Sequence, residues 1–333
     1  MKRLNWLLDT PIMHWAGSLT FGPLDALYSL YWSATGGPSV PYWKDWQSRK
    51  LPSYPLPLVR DDLPVKPSHC DACGAYLVTM VVTYADLKLL RPLIPRQLEF
   101  DPNRIHDGLH PIIYMFGYTQ HLHRVWMPIS GFGYLEFGVG IPGLRRWKPS
   151  QKFQGPFTFV PVLYLQQLYP TFMGWLVGYN KQLRKMSTQE AAYTIRDRYS
   201  TQEIIQASFK PSATAEDPPP ADHISHWADL TMQPQANRFL EDSLLFLHYH
   251  LAWPNAIVQP VDAEVEVKVD VGIPGLKVGK YHWPGIDIGK AVPGRAPEGA
   301  FRMWAPFELL GPFTRETLDS WTPPAHLPHT PDQ

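Results

Sequence analysis

The sequence predicts a mainly β (α+β) protein of antiparallel strands, with a few short helices and an N-terminal extension. Short runs rich in Val, Thr and Tyr recur along the chain and are separated by Gly, Pro and Asn, a rhythm typical of antiparallel β-structure. From Val261 to Asp270 apolar and charged residues alternate, as in a strand with one buried and one wet face. The 333 residues include 36 prolines and 23 glycines, which disfavour long helices.

The first third of the chain divides into an extension, an arm and the start of regular structure. Residues 1–37 carry apolar anchors that suit one or two short amphipathic helices packed on the main body. Prolines recur through residues 38–69, which predicts an extended arm. A strand is predicted over Tyr76–Tyr84, followed by a short helix over Asp86–Arg91 that Pro92 ends.

Further strands are predicted where β-type runs lie between turn residues. They are Pro111–Gln120, Gly133–Gly140, Phe157–Gln166, Ala191–Arg198, Glu203–Phe209 and Gly299–Leu310. The stretch Ala236–Trp253 suits a helix followed by a strand, whereas Pro211–Asp222 and the tail from Pro323 are polar, proline-dense loops. The hexapeptide Val-Gly-Ile-Pro-Gly-Leu occurs at 139–144 and at 271–276, and we interpret both copies as turns that follow a strand.

Charge and hydropathy exclude several classes of function. Thirty basic residues balance thirty acidic ones, so no long-range positive field recruits nucleic acid. The apolar stretch at 12–32 is interrupted by polar residues, and the run at 6–8 is too short for a secretion signal. We therefore expect no nucleic-acid partner, no transmembrane segment, no secretion signal and a cytoplasmic location; a homo-oligomer is compatible with the sequence.

Cysteine and histidine patterns suggest metal or redox chemistry. Cys70 and Cys73 form a Cys-x-x-Cys pair beside His69, the pattern of a redox couple or of half a metal site. The sequence offers no second half, and we interpret them as ordinary cysteines. Two His-x-His pairs would each present two imidazoles on one face of a strand, and they make a metal-binding barrel an alternative. They are His121 with His123 and His248 with His250.

Lys181 is the candidate nucleophile. It follows a strongly apolar segment that begins at Met173, and apolar surroundings lower a lysine pKa and release a neutral amine. If the segment is helical, Arg184 and Lys185 share a face with Lys181 and lower its pKa further by like-charge repulsion. The ordinary alternative is a solvated lysine at the end of an apolar element.

Several motifs occur in the order in which one enzyme family has them. Tyr84-Ala85-Asp86 ends a strand and precedes a short helix, and Leu93–Glu99 then reads Leu-Ile-Pro-Arg-Gln-Leu-Glu. Gly133–Glu136 contains Tyr-x-Glu, Val162–Leu165 contains Tyr-Leu, and Gly178–Lys181 reads Gly-Tyr-Asn-Lys. Residues 74–313 thus resemble a divergent acetoacetate decarboxylase superfamily member, in which Asn180 and Gln182 replace the family's proline and second lysine.

The resemblance implies a cone-like antiparallel β-barrel domain over 74–313. An N-terminal extension with a proline-rich arm (1–73) precedes it, and a C-terminal tail (314–333) follows it. The resemblance also implies that Lys181 forms a Schiff base and that Glu136 is an active-site carboxylate. Substrate-binding candidates are Tyr134, Tyr179, Tyr114 and Arg184, of which Tyr134 and Tyr179 also suit proton transfer. No cofactor and no metal are expected.

The function hypothesis is a lysine-dependent carbon–carbon lyase, most simply a decarboxylase of a β-keto acid. The chain contains 13 Trp, 16 Tyr and 15 Phe, so we expect a small-molecule carbonyl substrate that is polyketide-like or aromatic, as in secondary metabolism. Two alternatives stay open. One is an imine-free barrel that binds an apolar ligand or acts as a cyclase or dehydratase, and the other is the metal-binding barrel.

Overall fold

Strands make up most of the described structure. The computed structural model describes residues 23–31, 34–35, 72–124, 131–146, 156–176, 179–189, 191–212, 232–236, 244–251, 256–287 and 296–313. The strands are β1 (Ala72–Asp86), β2 (Leu98–Phe100), β3 (Leu109–Arg124), β4 (Phe132–Arg146), β5 (Phe157–Leu165), β6 (Lys181–Leu183), β7 (Lys185–Gln189), β8 (Ala192–Arg196), β9 (Glu203–Pro211), β10 (Met232–Ala236), β11 (Leu244–Leu251), β12 (Ile257–Val267), β13 (Gly279–Trp283) and β14 (Gly299–Phe313). The helices are α1 (23–31), α2 (Leu87–Leu90) and α3 (Leu168–Leu176). The predicted mainly β class is confirmed.

The strands form one strongly curled sheet. Its order is β6-β5-β4-β3-β1-β14-β12-β9-β8-β7, and every pair along it is antiparallel except β5–β6. A branch adds β11 beside β14 and β10 beside β11. Because β10 also contacts β5, the strands from β10 through β14 and β1 to β5 curl round toward a barrel.

Strand β1 separates two apolar cores. Ala75 and Leu77 belong to the larger core, whereas Tyr76 and Val78 belong to the second core on the opposite face. Since successive side chains of a strand point to opposite faces, a strand buried on both faces appears as an uninterrupted apolar run. The sequence Tyr76–Tyr84 has this character.

Aromatic side chains fill the larger core. The ring of Phe116 lies 5.0 Å from that of Phe137, 5.6 Å from that of Tyr193 and 5.2 Å from that of Phe209. Phe116 is fully buried, which stabilises the fold by roughly 1.5–3 kcal/mol. These contacts join β3 and β4 to β8 and β9, and they hold the curled sheet together.

A third cluster lies at the end of β4 and β5 next to the helices. Its buried members are Phe132, Tyr134 and Leu165. The side chains packed against them come from α1, α3 and the neighbouring strands: Tyr28, Leu122, Leu163 and Tyr169. We call this group the aromatic cluster.

Helix α2 confirms the short helix predicted after the first strand. The Asp86 carboxylate accepts a hydrogen bond from the Lys88 backbone N–H at 2.7 Å, which is the interaction that starts a helix. The helix ends at Leu90, two residues before Pro92, with Arg91 as the C-cap.

The two copies of the repeated hexapeptide differ in structure. The second forms the predicted turn, with Gly275 at φ 77°. The prediction of a turn at 139–144 is wrong, because β4 continues to Arg146. Val139, Ile141 and Leu144 are fully buried there, and irregular pairing with β5, together with φ 66° at Gly143, accommodates the Pro-Gly step inside the strand.

Several sequence-based predictions lie outside the described residues. These are the proline-rich arm, residues 213–222 of the predicted loop, the tail from Pro323, and residues 237–243, where a helix is predicted. Residues 244–251 form the strand expected after that helix. The boundaries 1–73, 74–313 and 314–333 stay predictions. None of the helices in the described ranges is long and apolar enough to span a bilayer.

Candidate active site

Lys181 is the first residue of β6, and helix α3 holds it in place. The Tyr179 N–H donates to the Gly174 carbonyl at 2.9 Å, and the Trp175 indole N–H donates to the Lys181 carbonyl at 2.7 Å. On its other side Lys181 pairs with Leu163 of β5. The backbone of the candidate nucleophile is therefore fixed between a helix and a strand, which gives its side chain a defined origin.

The Lys181 side chain lies directly across Gly174. A Cβ at position 174 would come within 2.3 Å of Lys181 Cδ, 2.6 Å of Cε and 2.9 Å of Nζ, closer than non-bonded carbon atoms approach. Nζ donates to the Pro170 carbonyl at 3.2 Å and lies 4.9 Å from the centre of the Tyr179 ring. The amine is thus held between a helix carbonyl and an aromatic face.

Burial makes the Lys181 amine more acidic than an ordinary lysine. It lowers the pKa of Lys181 to about 8, and the nearby Glu136 carboxylate acts in the opposite direction. At pH 7 a pKa of about 8 leaves roughly 9% of the amine neutral, against about 0.04% for an unperturbed lysine of pKa about 10.4. Lys181 and Glu136 are only partly buried, so the pair keeps contact with solvent.

Arg184 and Lys185 were predicted to lower this pKa from the same face of a helix, and that prediction is wrong because residues 181–185 are not helical. Helix α3 ends at Leu176, and Lys181 and Lys185 lie in β6 and β7. The three residues therefore share no helical face. Burial, the first cause predicted, lowers the Lys181 pKa without the added like-charge repulsion.

Glu136 lies on β4, opposite Gly117 of β3 and Leu165 of β5. Burial raises the pKa of Glu136, while a hydrogen bond from Tyr76 and the Lys181 charge counteract the rise. A Cβ at position 117 would come within 2.5 Å of the Tyr76 hydroxyl. Gly117 therefore leaves the space through which Tyr76 reaches the carboxylate.

Tyr134 and Tyr179 complete the group around Lys181 and Glu136. Both are buried. Burial and the Glu136 charge raise the pKa of each phenol above its ordinary value, and Tyr134 also shares a hydrogen bond with Thr119. The phenols stay protonated at neutral pH and can donate hydrogen bonds or protons next to a carboxylate that can accept them.

The structure does not bring Tyr114 and Arg184 to this group. Tyr114 belongs to the larger core and donates to the Pro274 carbonyl at 2.9 Å. The Arg184 guanidinium lies 5.0 Å from the centre of the Tyr164 ring and 4.0 Å from the Asp197 carboxylate. Tyr164 is likewise a member of the larger core, so the contacts described for both residues belong to that core and its edge, and their role in substrate binding stays a prediction.

Sequence reasoning missed three residues that shape the site. Tyr76 binds Glu136, Gly117 gives it room, and Gly174 gives room to Lys181. The glycines carry a weak signal, since each interrupts an apolar run in which a larger side chain would pack better. Tyr76 carries none, because it is one more aromatic residue in an apolar strand.

The Cys-x-x-Cys and His-x-His motifs meet at one point. Cys73 Sγ lies 3.2 Å from His123 Nε2, and His123 Nδ1 is 2.7 Å from the His121 carbonyl. His121 itself is exposed and has φ 50° at an irregularity in β3, so it does not repeat the environment of His123. Among the side chains that the structure describes, no three metal-ligating groups converge; Cys70 and the side chains of His248 and His250 lie outside that set.

Comparison with known proteins gives likenesses of fold. No family model and no curated protein matches the sequence. Acetoacetate decarboxylase from Legionella pneumophila is 12% identical with a TM-score of 0.47, over 83% of this chain and 96% of that chain. An acetoacetate decarboxylase-like enzyme from Sphingomonas wittichii RW1 is 11% identical with a TM-score of 0.45, over 75% and 94%. The enduracididine biosynthesis enzyme MppR with HEPES buffer bound is 15% identical with a TM-score of 0.46, over 79% and 94%. All three align with this chain along more than nine tenths of their own length.

Proposed function

We propose that the chain is a lysine-dependent carbon–carbon lyase, most simply a decarboxylase of a β-keto acid. One observation carries the proposal. The Lys181 amine is held over Gly174 with a pKa of about 8, close enough to Glu136 for the two charges to interact. A neutral amine next to a group that transfers protons is what imine chemistry requires.

The first step is imine formation on a ketone. The Lys181 nitrogen forms a bond to the carbonyl carbon, and the carbonyl oxygen takes up a proton. After a second proton transfer the oxygen leaves as water, and the nitrogen is left as a protonated imine. Glu136, whose pKa is raised by burial, supplies and recovers these protons.

The second step breaks a carbon–carbon bond. With a β-carboxylate on the substrate, the electron pair of the bond to the carboxyl carbon flows into the iminium. Carbon dioxide leaves, and an enamine remains. A proton delivered to the enamine carbon from Glu136, Tyr134 or Tyr179 gives a new iminium, which water hydrolyses to a ketone and the free amine.

The surroundings of the amine favour a substrate with apolar or aromatic character. Tyr76, Tyr134 and Tyr179 are all buried around the Lys181–Glu136 pair, and the aromatic cluster continues from Tyr134. Aromatic rings bury large apolar areas and their hydroxyls fix orientation. We therefore assign a polyketide-like or aromatic β-keto acid as the substrate class.

Borohydride trapping tests the proposal. The protein is incubated with a panel of β-keto acids and borohydride. Its intact mass is then measured, and peptide mapping locates any adduct. We expect a covalent adduct on Lys181 that Lys181→Arg abolishes. Lys185→Arg is the matched control, because Lys185 is an exposed lysine four residues further on. An adduct that forms equally well in Lys181→Arg contradicts the proposal, and no adduct with any acid favours the imine-free barrel instead.

A further inference from the structure

Helix α1 is docked on the main body through polar and aromatic contacts. The Tyr28 ring stacks on Tyr169 of α3 at 4.5 Å and meets Phe132 of β4 edge-on at 5.0 Å. The Tyr169 hydroxyl donates a hydrogen bond to the Asp25 carboxylate of α1. The Ser29 hydroxyl donates to the Asp25 carbonyl at 2.8 Å within the helix.

The orientation of α1 is the reverse of that of an ordinary surface helix. Asp25 and Ser29 are buried at 7% and 4% exposure, whereas Leu24, Leu27 and Leu30 are 44%, 63% and 68% exposed. Burial of apolar area does not account for this choice of face, since the leucines lie outside. The buried carboxylate and its tyrosine partner specify where the helix sits.

The residues that α1 contacts are direct neighbours of the candidate site. Tyr169 precedes Pro170, whose carbonyl accepts the hydrogen bond from Lys181 Nζ. Phe132 lies two residues before Tyr134 on the same face of β4, with the two ring centres 6.2 Å apart. The Tyr28 hydroxyl is near enough to Tyr134 to contribute to its raised pKa.

We propose that α1 forms one wall of the Lys181 site and that Tyr28 limits the length of the substrate it accepts. The ring of Tyr28 fills the space beside Phe132 and Tyr169 that a longer substrate tail would enter. Removal of the ring leaves an apolar space that continues from Tyr134. This inference rests on the proposed function, because the substrate is taken to be bound at Lys181.

The test combines substrate length with three variants of α1. Borohydride trapping at Lys181 is measured with straight-chain β-keto acids of increasing length, from acetoacetate upward. We expect Tyr28→Ala to accelerate labelling by the longer acids about tenfold or more, since a few buried methylene groups are worth that much, and to leave acetoacetate within about twofold. Tyr28→Phe keeps the ring and should match the wild type. Tyr31→Ala is the matched control, because Tyr31 is 63% exposed on the same helix.

The outcomes separate the two proposals. The labelling rate is plotted against the chain length of the acid. If the Tyr28→Ala plot is parallel to that of the wild type, or lower by the same factor for every acid, the size limit is overturned, because a merely structural role lowers all rates together. If the wild type is labelled by no acid, the proposed function fails and the size limit is measured by calorimetry with unreactive carboxylic acids of the same lengths. Tyr28→Ala must then bind the longer acids more tightly than the wild type does, and the shorter acids equally well. Equal affinities of the two proteins for the longer acids overturn the inference.

Discussion

Gly174→Ala is the most direct test of how helix α3 positions the amine. Gly174 lies within α3, where alanine is the better residue by about 1 kcal/mol, so the helix itself tolerates the change. The new Cβ, however, would lie 2.3 Å from Lys181 Cδ. Ordinary contact begins near 3.4 Å, so the lysine side chain has to retreat by about 1 Å.

The retreat moves Nζ away from the Pro170 carbonyl and the Tyr179 ring. If the amine enters water, its pKa returns from about 8 toward about 10.4, and the neutral fraction at pH 7 falls about 200-fold. A misplacement of about 1 Å alone costs on the order of a hundredfold in rate. We therefore expect the rate of imine formation at pH 7 to fall about a hundredfold, without loss of stability.

The assay is the pH dependence of borohydride trapping. In the wild type the rate should rise with pH to a midpoint near pH 8, where the Lys181 amine loses its proton. In Gly174→Ala the midpoint should move toward pH 10, and high pH should recover part of the rate. Leu168→Ala, an exposed change on the same helix, is the control. Equal rates and an unchanged midpoint in Gly174→Ala would refute the geometry.

Three further predictions concern substitutions of Lys181, Tyr76 and Tyr114. The Lys181 pKa is lower in the folded protein than in the unfolded chain, so the unfolded chain binds one more proton between pH 8 and about 10.4. The free energy of unfolding therefore rises by about 3 kcal/mol over that range, and Lys181→Met should abolish the rise in urea titrations. Tyr76→Phe removes a hydrogen bond that lowers the pKa of Glu136, so the pKa of this carboxyl should rise in an NMR titration, and an unchanged Glu136 pKa would argue against that bond. Tyr114→Phe loses the bond to Pro274 and should cost about 1 kcal/mol in unfolding free energy with no change in trapping, whereas a slower rate would place Tyr114 in the site.

The sequence predicts the strands well where one face is wet. The alternation from Val261 onward predicts β12, which ends at Val267, because the charged positions mark the solvent side. Short elements such as β6 escaped prediction, since three residues carry no period. The Pro-Gly step at 142–143 was misjudged because burial of the strand around it outweighs a local turn preference.

The candidate site was predicted from the family resemblance of its motifs, and a strand period supports part of it. Tyr134 and Glu136 are two residues apart on β4, so they share a face. Tyr114 was named through the family resemblance alone. Because β3 is apolar on both faces, nothing in its sequence tells which face borders the amine. The contact of Gly174 with Lys181 depends on how α3 packs on β6, which no local pattern encodes.

Strand β6 runs parallel to β5, and this has a consequence for how the protein can change. A parallel neighbour is reached only through a crossover, here α3, so the length of that crossover sets which side chain of β6 faces Glu136. Loss of one residue between them would bring Gln182 to the position of Lys181, and gain of one residue would bring Asn180 there. Either change moves the amine to the opposite face of the strand, because successive side chains alternate. A one-residue deletion there would thus turn the amine away from Glu136 while the pairing of the other strands stays unchanged.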